Sequence, residues 1–305
     1  MTKTKISAVV NTRNEEANIV ECLKSLSFCH EIVVVDMEST DNTVKLAKEY
    51  THKVFSHKNV GYVEPARNFA ISKAVGDWIL IVDADERIPK KLAKELVSLS
   101  QTGEHDFVRL PRKNLVFGQW LQHSRWWPDY NIRFFKKGVV DWQNEIHSVP
   151  ITTGNGYNLP TEVENAIEHH HYKSIDEYII RTQRYSSQQA KELIDSGYVF
   201  DVKDLITKPI SEFNSRYFAG DGYKDGLHGL VVSLLQFFAI LLVYLKVWEK
   251  TKFIPKSGKK FYDLWIEEYK QSFREIKFWY LTTMIQNTHS KAVTFILKVK
   301  RKFSK

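Results

Sequence analysis

The stretch Gly76–Pro89, GDWILIVDADERIP, runs from an unbroken apolar segment into three acidic side chains, Asp83, Asp85 and Glu86. Trp78 to Val82 read as a strand buried on both faces, and such strands belong to parallel sheets covered by helices. Two aspartates after a strand usually solvate a turn or cap a helix. Here their setting asks for more, because Pro89 opens a helix just beyond and the flanking segments repeat the same design.

Working outward, KISAVVN (5–11) and EIVVVD (31–36) are further strand signals, each ending at polar residues. EEANIVECLKSL (15–26) places Ile19, Leu23 and Leu26 at helical spacing, and TDNTVKLAKEY (40–50) repeats the helix signal with Asp41 as its N-cap. EPARNFAISKA (64–74) carries Pro65 in a first helical turn and feeds the strand at Trp78. The spacing predicts an α/β, Rossmann-like sheet flanked by helices. Ligands of such sheets sit beyond the carboxyl ends of the strands, here Asn11 to Glu16, Asp36 to Asp41 and Asp83 to Glu86.

Carboxylates two apart at a strand-to-loop junction can aim at one hard cation, Mg²⁺ or Mn²⁺, which takes its other ligands from water and substrate phosphates. The chain has neither GxxxxGK nor a GxGxxG opening a helix after a strand, so no glycine-rich loop is available to cradle a diphosphate. A metal would have to neutralise it.

The middle of the chain is aromatic and turn-rich. Short strand-like pieces fall at Phe107 to Leu110 and Asn131 to Lys136, and a helix is predicted from Ile175 to about Ser196. Gly226 to Leu245 is twenty residues without Asp, Glu, Lys or Arg. At about 1.5 Å per residue that is roughly the thickness of a bilayer core, although an embedded, re-entrant or protein-buried helix would read the same. We therefore expect two regions: a catalytic domain over 1–215, and a helical, basic, membrane-associating extension over 216–305.

With 43% hydrophobic and 26% charged residues the composition is that of a core-forming protein, which excludes a disordered chain. Cys22 and Cys29 have neither CxxC nor metal-like spacing, and the start of the chain meets Asn11, Arg13 and Glu15 before any signal-like apolar run. A reducing, cytoplasmic setting is expected. The net charge of +8 is concentrated late, with six basic and no acidic side chains between Gln286 and Lys305. That distribution suits an anionic membrane surface, and no nucleic-acid partner is expected.

The segments VVNTRNEEANIVECLKSL, EIVVVDMESTDNT, ARNFAISKAVGDWILIVDADE and NIRFFKKG…DWQNEIHS resemble the ordered blocks of family 2 glycosyltransferases with the A-type fold, nearest to bacterial lipopolysaccharide-core and cell-envelope members. The resemblance covers about 150 residues and continues more loosely into GLHGL…YLKVWE. It implies a UDP- or dTDP-linked sugar donor, Mg²⁺ or Mn²⁺, and inverting transfer of a hexose to a glycan or lipid-linked acceptor, peripheral or monotopic at the inner face of the cell membrane.

Carried over by position, Thr12, Asn14 and Glu15 would line the nucleotide pocket and Asp36 would bind the base. Arg67 would lie near the base and diphosphate. Asp85 would coordinate the metal, with Asp83 on the ribose or the metal's shell, and Glu86 would face the next turn or the acceptor side. The metal pair cannot also deprotonate the acceptor, so a separate base is needed. Many envelope members carry His-Glu after the RFF block, where this chain has His147-Ser148. Glu145 is the expected base, with His147 and Asp129 behind it.

Three consecutive histidines, His169 to His171, cannot all face one ion in regular structure, so no dedicated metal role is expected of them, although His169 could face the site. Trp120, Trp126, Trp127 and Trp142 fall where an acceptor would bind, and about half are expected in the core. The alternatives are a non-catalytic nucleotide-sugar-binding protein and a sugar-phosphate nucleotidylyltransferase, whose glycine-rich first loop is missing here.

Overall fold

The computed structural model describes residues 4–60, 63–142, 150–255 and 257–303. Two compact units emerge: Met1–Trp120 with Trp127–His171, and Leu121–Trp126 with Tyr172–Lys305. This division follows packing. It differs from the functional boundary expected near residue 215 by placing two more helices in the second unit.

The first unit opens with β1 (Ile6–Thr12), α1 (Ile19–Ser25), β2 (Glu31–Asp36), α2 (Thr43–Ala47) and β3 (Val54–Ser56). Then come α3 (Glu64–Lys73), β4 (Trp78–Asp83), the two-residue β5 (Glu86–Arg87) and α4 (Lys90–Thr102). The antiparallel part follows as β6 (Phe107–Val116), β7 (Gln119–Trp120), β8 (Asp129–Lys136), β9 (Val140–Asp141), β10 (Ile151–Thr152), β11 (Gly156–Asn158) and β12 (Ile167–Tyr172).

Among the described residues these strands make one ten-stranded mixed sheet, ordered β3-β2-β1-β4-β8-β6-β12-β5 with β7 and β11 on β6, and a separate β9–β10 ladder. β3, β2, β1 and β4 run parallel, and β8 joins β4 antiparallel. The fold is thus the expected α/β, Rossmann-like arrangement of the A-type, with a parallel half and an antiparallel half.

The strand alternation explains the layers. Ala8, Val10, Leu80 and Val82 point to one face and pack with Leu23 of α1 and with Leu92 and Leu96 of α4. Val9, Val33, Ile79 and Ile81 point to the other and meet Ala66, Ala70 and Ala74 on and just beyond α3. Gly76, which begins the decisive stretch, crosses so close to β1 that an added Cβ would lie 2.5 Å from Ser7 Oγ and 2.8 Å from the Lys5 carbonyl oxygen. Only glycine fits that crossing.

The second unit is helical: α5 (Ile175–Asp195), α6 (Asp204–Asn214), α7 (Gly226–Lys250), α8 (Lys259–Gln286) and α9 (Lys291–Lys302). Ser174 caps α5 by accepting the Glu177 N–H. Val243 and Val247 of α7 pack on Ala190 of α5. Lys246 is tied into α5, donating to Gln183 O at 2.6 Å and to Ser187 Oγ at 2.7 Å.

Candidate functional site

The parallel strands end at one edge, and their register sets what meets there. Thr12 pairs with Asp36, and Asn11 lies between Val35 and Asp83. Asn11, Thr12 and Asp36 are all buried. Asp36 Oδ2 accepts the Ser39 N–H at 3.0 Å. Its Oδ1 has no hydrogen-bond partner among the described residues, nor do Thr12 Oγ1 or the Asn11 amide atoms. Each such atom costs about 1–3 kcal/mol when buried unmatched, so this edge is suited to a ligand that supplies both donors and acceptors.

The loops beyond β1 and β2 are stitched together. Asn14, at φ 53°, donates its N–H to Ser39 Oγ at 2.8 Å and accepts the Thr40 N–H at 2.8 Å. Glu15 N–H donates to Thr43 Oγ1 at 2.7 Å, and Glu15 Oε2 accepts from Asn18 at 2.6 Å. Asn14 and Glu15, expected in the nucleotide pocket, thus make loop-shaping bonds. The unmatched polar atoms belong to Thr12, to Asp36 and to Asn11, which sequence reading had not singled out.

Asp83 sits in a charged cluster. Its Oδ1 accepts from Arg67 at 3.3 Å and its Oδ2 from Arg133. Burial alone would raise its carboxyl, but Arg133 and Arg67 hold it well below the usual carboxylate range. Arg67 also lies over the Trp142 ring, 5.7 Å from its centroid.

Glu86 was expected to face a turn or the acceptor. It is instead fully buried, accepting the Asp83 N–H at 2.9 Å and contacted by Arg133 at 2.9 Å and Arg112 at 3.3 Å. It anchors the cluster from beneath. The reason is the bend after Asp83: Glu86 enters β5, which pairs with β12 through His169.

That pairing also delivers the potential metal ligands. The His170 N–H donates to the Asp85 carbonyl at 2.9 Å, and Asp85, His169 and His171 each offer a ligand atom within 4.8 Å of the others. His169 Nε2 is 3.5 Å from Asp85 Oδ2 and 3.1 Å from His171 Nδ1. His169 Nδ1 lies 2.6 Å from Asn114 Oδ1. Asp85 therefore groups with two imidazoles, while Asp83, expected as its companion, is directed at arginines.

The expectation that the histidine tract has no metal role is not what the geometry offers. Three successive histidines cannot converge, but two at i and i+2 of a strand share a face. One carboxylate oxygen and two imidazole nitrogens form a donor set that fits a divalent ion.

Asp129 was one candidate base. Its Oδ2 accepts from Arg112 Nε at 2.9 Å, Arg112 Nη2 at 2.6 Å and Asn114 Nδ2 at 3.1 Å. Burial would raise its carboxyl, but Arg112 and Asn114 more than offset this and hold it below the ordinary range, which suits a fixed anion and not a proton acceptor. Glu145 and His147 lie outside the described residues. Of the four tryptophans only Trp142 is in the core, while Trp120 and Trp127 meet edge-on at 5.3 Å.

Residues 7–158 match the family model for Glycosyl transferase family 2. A Rickettsia typhi protein described as an uncharacterized glycosyltransferase is 33% identical over 258 residues, 80% of this chain and 87% of that protein. LpsC of Rhizobium meliloti, described as a lipopolysaccharide core biosynthesis glycosyltransferase, is 27% identical over 257 residues, 81% of this chain and 93% of that protein. Among solved structures, residues 1–349 of Staphylococcus aureus TarS in complex with UDP align over 79% of this chain and 91% of that one, at 17% identity and a TM-score of 0.44.

Proposed function

Because the chain belongs to glycosyl transferase family 2, we propose that it moves a hexose from a UDP- or dTDP-linked donor to a glycan or glycolipid of the bacterial cell envelope, using a divalent metal and inverting the anomeric centre. The observation that carries this reading is the convergence of Asp85, His169 and His171 at the end of the strand whose neighbour carries the unmatched Asn11. The similarity to LpsC supports an envelope acceptor.

In this reading Asp36 Oδ1 accepts the ring N–H of uracil or thymine, and Thr12 and Asn11 complete the base and ribose contacts. Asp83, its side chain 27% exposed and held by two arginines, presents a fixed acceptor to the ribose hydroxyls. A divalent ion held by Asp85, His169 and His171 would neutralise charge developing on the departing diphosphate. Two imidazole nitrogens match Mn²⁺ better than Mg²⁺, which takes oxygen ligands and water. Glu145 takes the proton of the acceptor hydroxyl.

Nucleotide release from a panel of sugar donors tests the scheme. Chelation should abolish release and Mn²⁺ restore it. Glu145→Gln should lose roughly a hundredfold or more in rate while Mn²⁺ affinity is unchanged. Full activity in that variant would remove Glu145 as the base, and release indifferent to chelator would remove the metal.

The same reading puts the protein at the inner face of the cell membrane, attached through its second unit. Two features support it. Gly222–Lys250 is long and apolar enough to cross a membrane by length and composition, with 22% of its most apolar window buried. On α9, Ala292, Phe295, Ile296 and Val299, with Phe303 just beyond, form one exposed stripe at helical spacing.

Lys291, Lys298 and Lys302 flank the stripe, while Arg301, on the far side, bonds Thr282 Oγ1 of α8 at 3.3 Å. An outward apolar stripe edged by lysines is the pattern of an interfacial helix on anionic lipid. Lys246, which follows the apolar run, is held by α5 and not directed at lipid in this reading.

Phe295→Ser with Phe303→Ser should reduce co-sedimentation with phosphatidylglycerol-containing vesicles at least tenfold, at about 1.5–3 kcal/mol per buried phenylalanine. Unchanged sedimentation, or a change in oligomeric state by light scattering instead, would sink this role for α9.

A further inference from the structure

We propose that Asn114 is a positioning residue: it fixes the ring tautomer of His169, so that Nε2 turns a bare lone pair towards Asp85 and His171. The inference rests on the metal reading above only for its purpose. The tautomer itself follows from the hydrogen bonds.

Asn114 lies in β6, 1% exposed, and His169 in β12, 4% exposed, so neither side chain can trade its partner for bulk water. An amide has one accepting and one donating end, and either could face an imidazole. Asp129 decides which. Its carboxylate, forked by Arg112 at 2.9 and 2.6 Å, can only accept, so the Asn114 NH₂ points to Asp129 at 3.1 Å.

The amide oxygen is left for His169 Nδ1 at 2.6 Å, which must donate. In the neutral ring, with its one proton on Nδ1, Nε2 is unprotonated. That is the atom 3.5 Å from Asp85 Oδ2 and 3.1 Å from His171 Nδ1. His169 donates to Asn114, Asn114 donates to Asp129, and Arg112 donates to that same carboxylate oxygen, so polarity at the buried end is set by an arginine two side chains away. Such outer partners of metal-bound imidazoles fix ring orientation and raise basicity.

The test reads the tautomer directly. Long-range ¹H–¹⁵N correlation on the metal-free full chain should find His169 as the Nδ1–H form. Asn114→Leu, which removes the acceptor at similar size, should give mixed or Nε2–H tautomer and weaken Mn²⁺ binding, read by electron paramagnetic resonance, by about 10- to 100-fold.

Asp129→Asn frees the amide to turn over and should also mix the tautomers. The paired exchange Asn114→Asp with Asp129→Asn puts a carboxylate beside His169 and should restore both the Nδ1–H form and Mn²⁺ affinity. An unchanged Nδ1–H tautomer in either folded single variant overturns the proposal. Should Asn114→Leu fail to fold, Asp129→Asn carries the same reading. A wild-type chain with the fixed tautomer but no affinity for Mn²⁺ would instead refute the metal site and leave the positioning role standing.

Discussion

Asp85→Ala is expected to remove measurable Mn²⁺ binding and to lower sugar transfer about a thousandfold, leaving the fold intact. Asp85 supplies the one carboxylate of the converging trio, and the charge stabilisation assigned to the ion is several kcal/mol, with about 1.4 kcal/mol for each factor of ten. The ion pairs of Arg67, Arg112 and Arg133 with Asp83, Glu86 and Asp129 all remain in the variant. A thermal midpoint within a few degrees of the parent therefore accompanies the loss.

His170→Ala is the internal control. The middle histidine alternates to the other side of β12, so it should keep wild-type Mn²⁺ affinity, whereas His169→Ala and His171→Ala should not. Retained metal dependence in Asp85→Ala would move the site elsewhere.

Arg133→Met is expected to cost about 3–5 kcal/mol of stability, read as a shift of the urea midpoint, since it leaves the fully buried Glu86 with the longer Arg112 contact at 3.3 Å and deprives Asp83 of a partner. Adding Glu86→Gln should recover part of that loss by removing a charge then countered only in part by Arg112, while the Asp83 N–H keeps an acceptor in the amide oxygen. A cost below about 1 kcal/mol would mean that water reaches the pair, and the cluster would then be no more than a surface ion pair.

Much of the architecture was legible because its signals are local. Three apolar runs gave β1, β2 and β4 of the parallel half of the sheet, though not the short β3, Pro65 marked the start of α3, and the helix expected from Ile175 to about Ser196 is α5. The antiparallel half was harder. The strand-like piece expected at Phe107 to Leu110 is the start of β6, which runs through Pro111, opposite Tyr130, to Val116 although proline offers the ladder no donor. Long-range pairing decided that, and no local pattern carries it.

The candidate site divides in the same way. Asp36 could be named because it ends β2, and Asp85 because it lies two residues beyond the end of β4. His171 was hidden by reading HHH as three neighbours and not as two residues on one face of a strand. Arg133, between Ile132 and Phe134, could have been noticed as a charge inside an apolar run, but its partners Asp83 and Glu86 are about fifty positions away. Asn114 gave no signal, because its role depends on Asp129 and His169 together.

The stitching of the first two loops has a kinetic meaning. Asn14 to Ser39 and Thr40, Glu15 to Thr43 and Glu16 to Asp41 tie two chain reversals into a single piece through the chain's own hydrogen bonds. If the donor binds at this edge as proposed, little loop ordering should oppose its capture. Association should then be a single fast phase whose rate follows donor concentration without a plateau. Cutting one stitch, as in Asn14→Ala, should slow the arrival of the donor more than it hastens its departure.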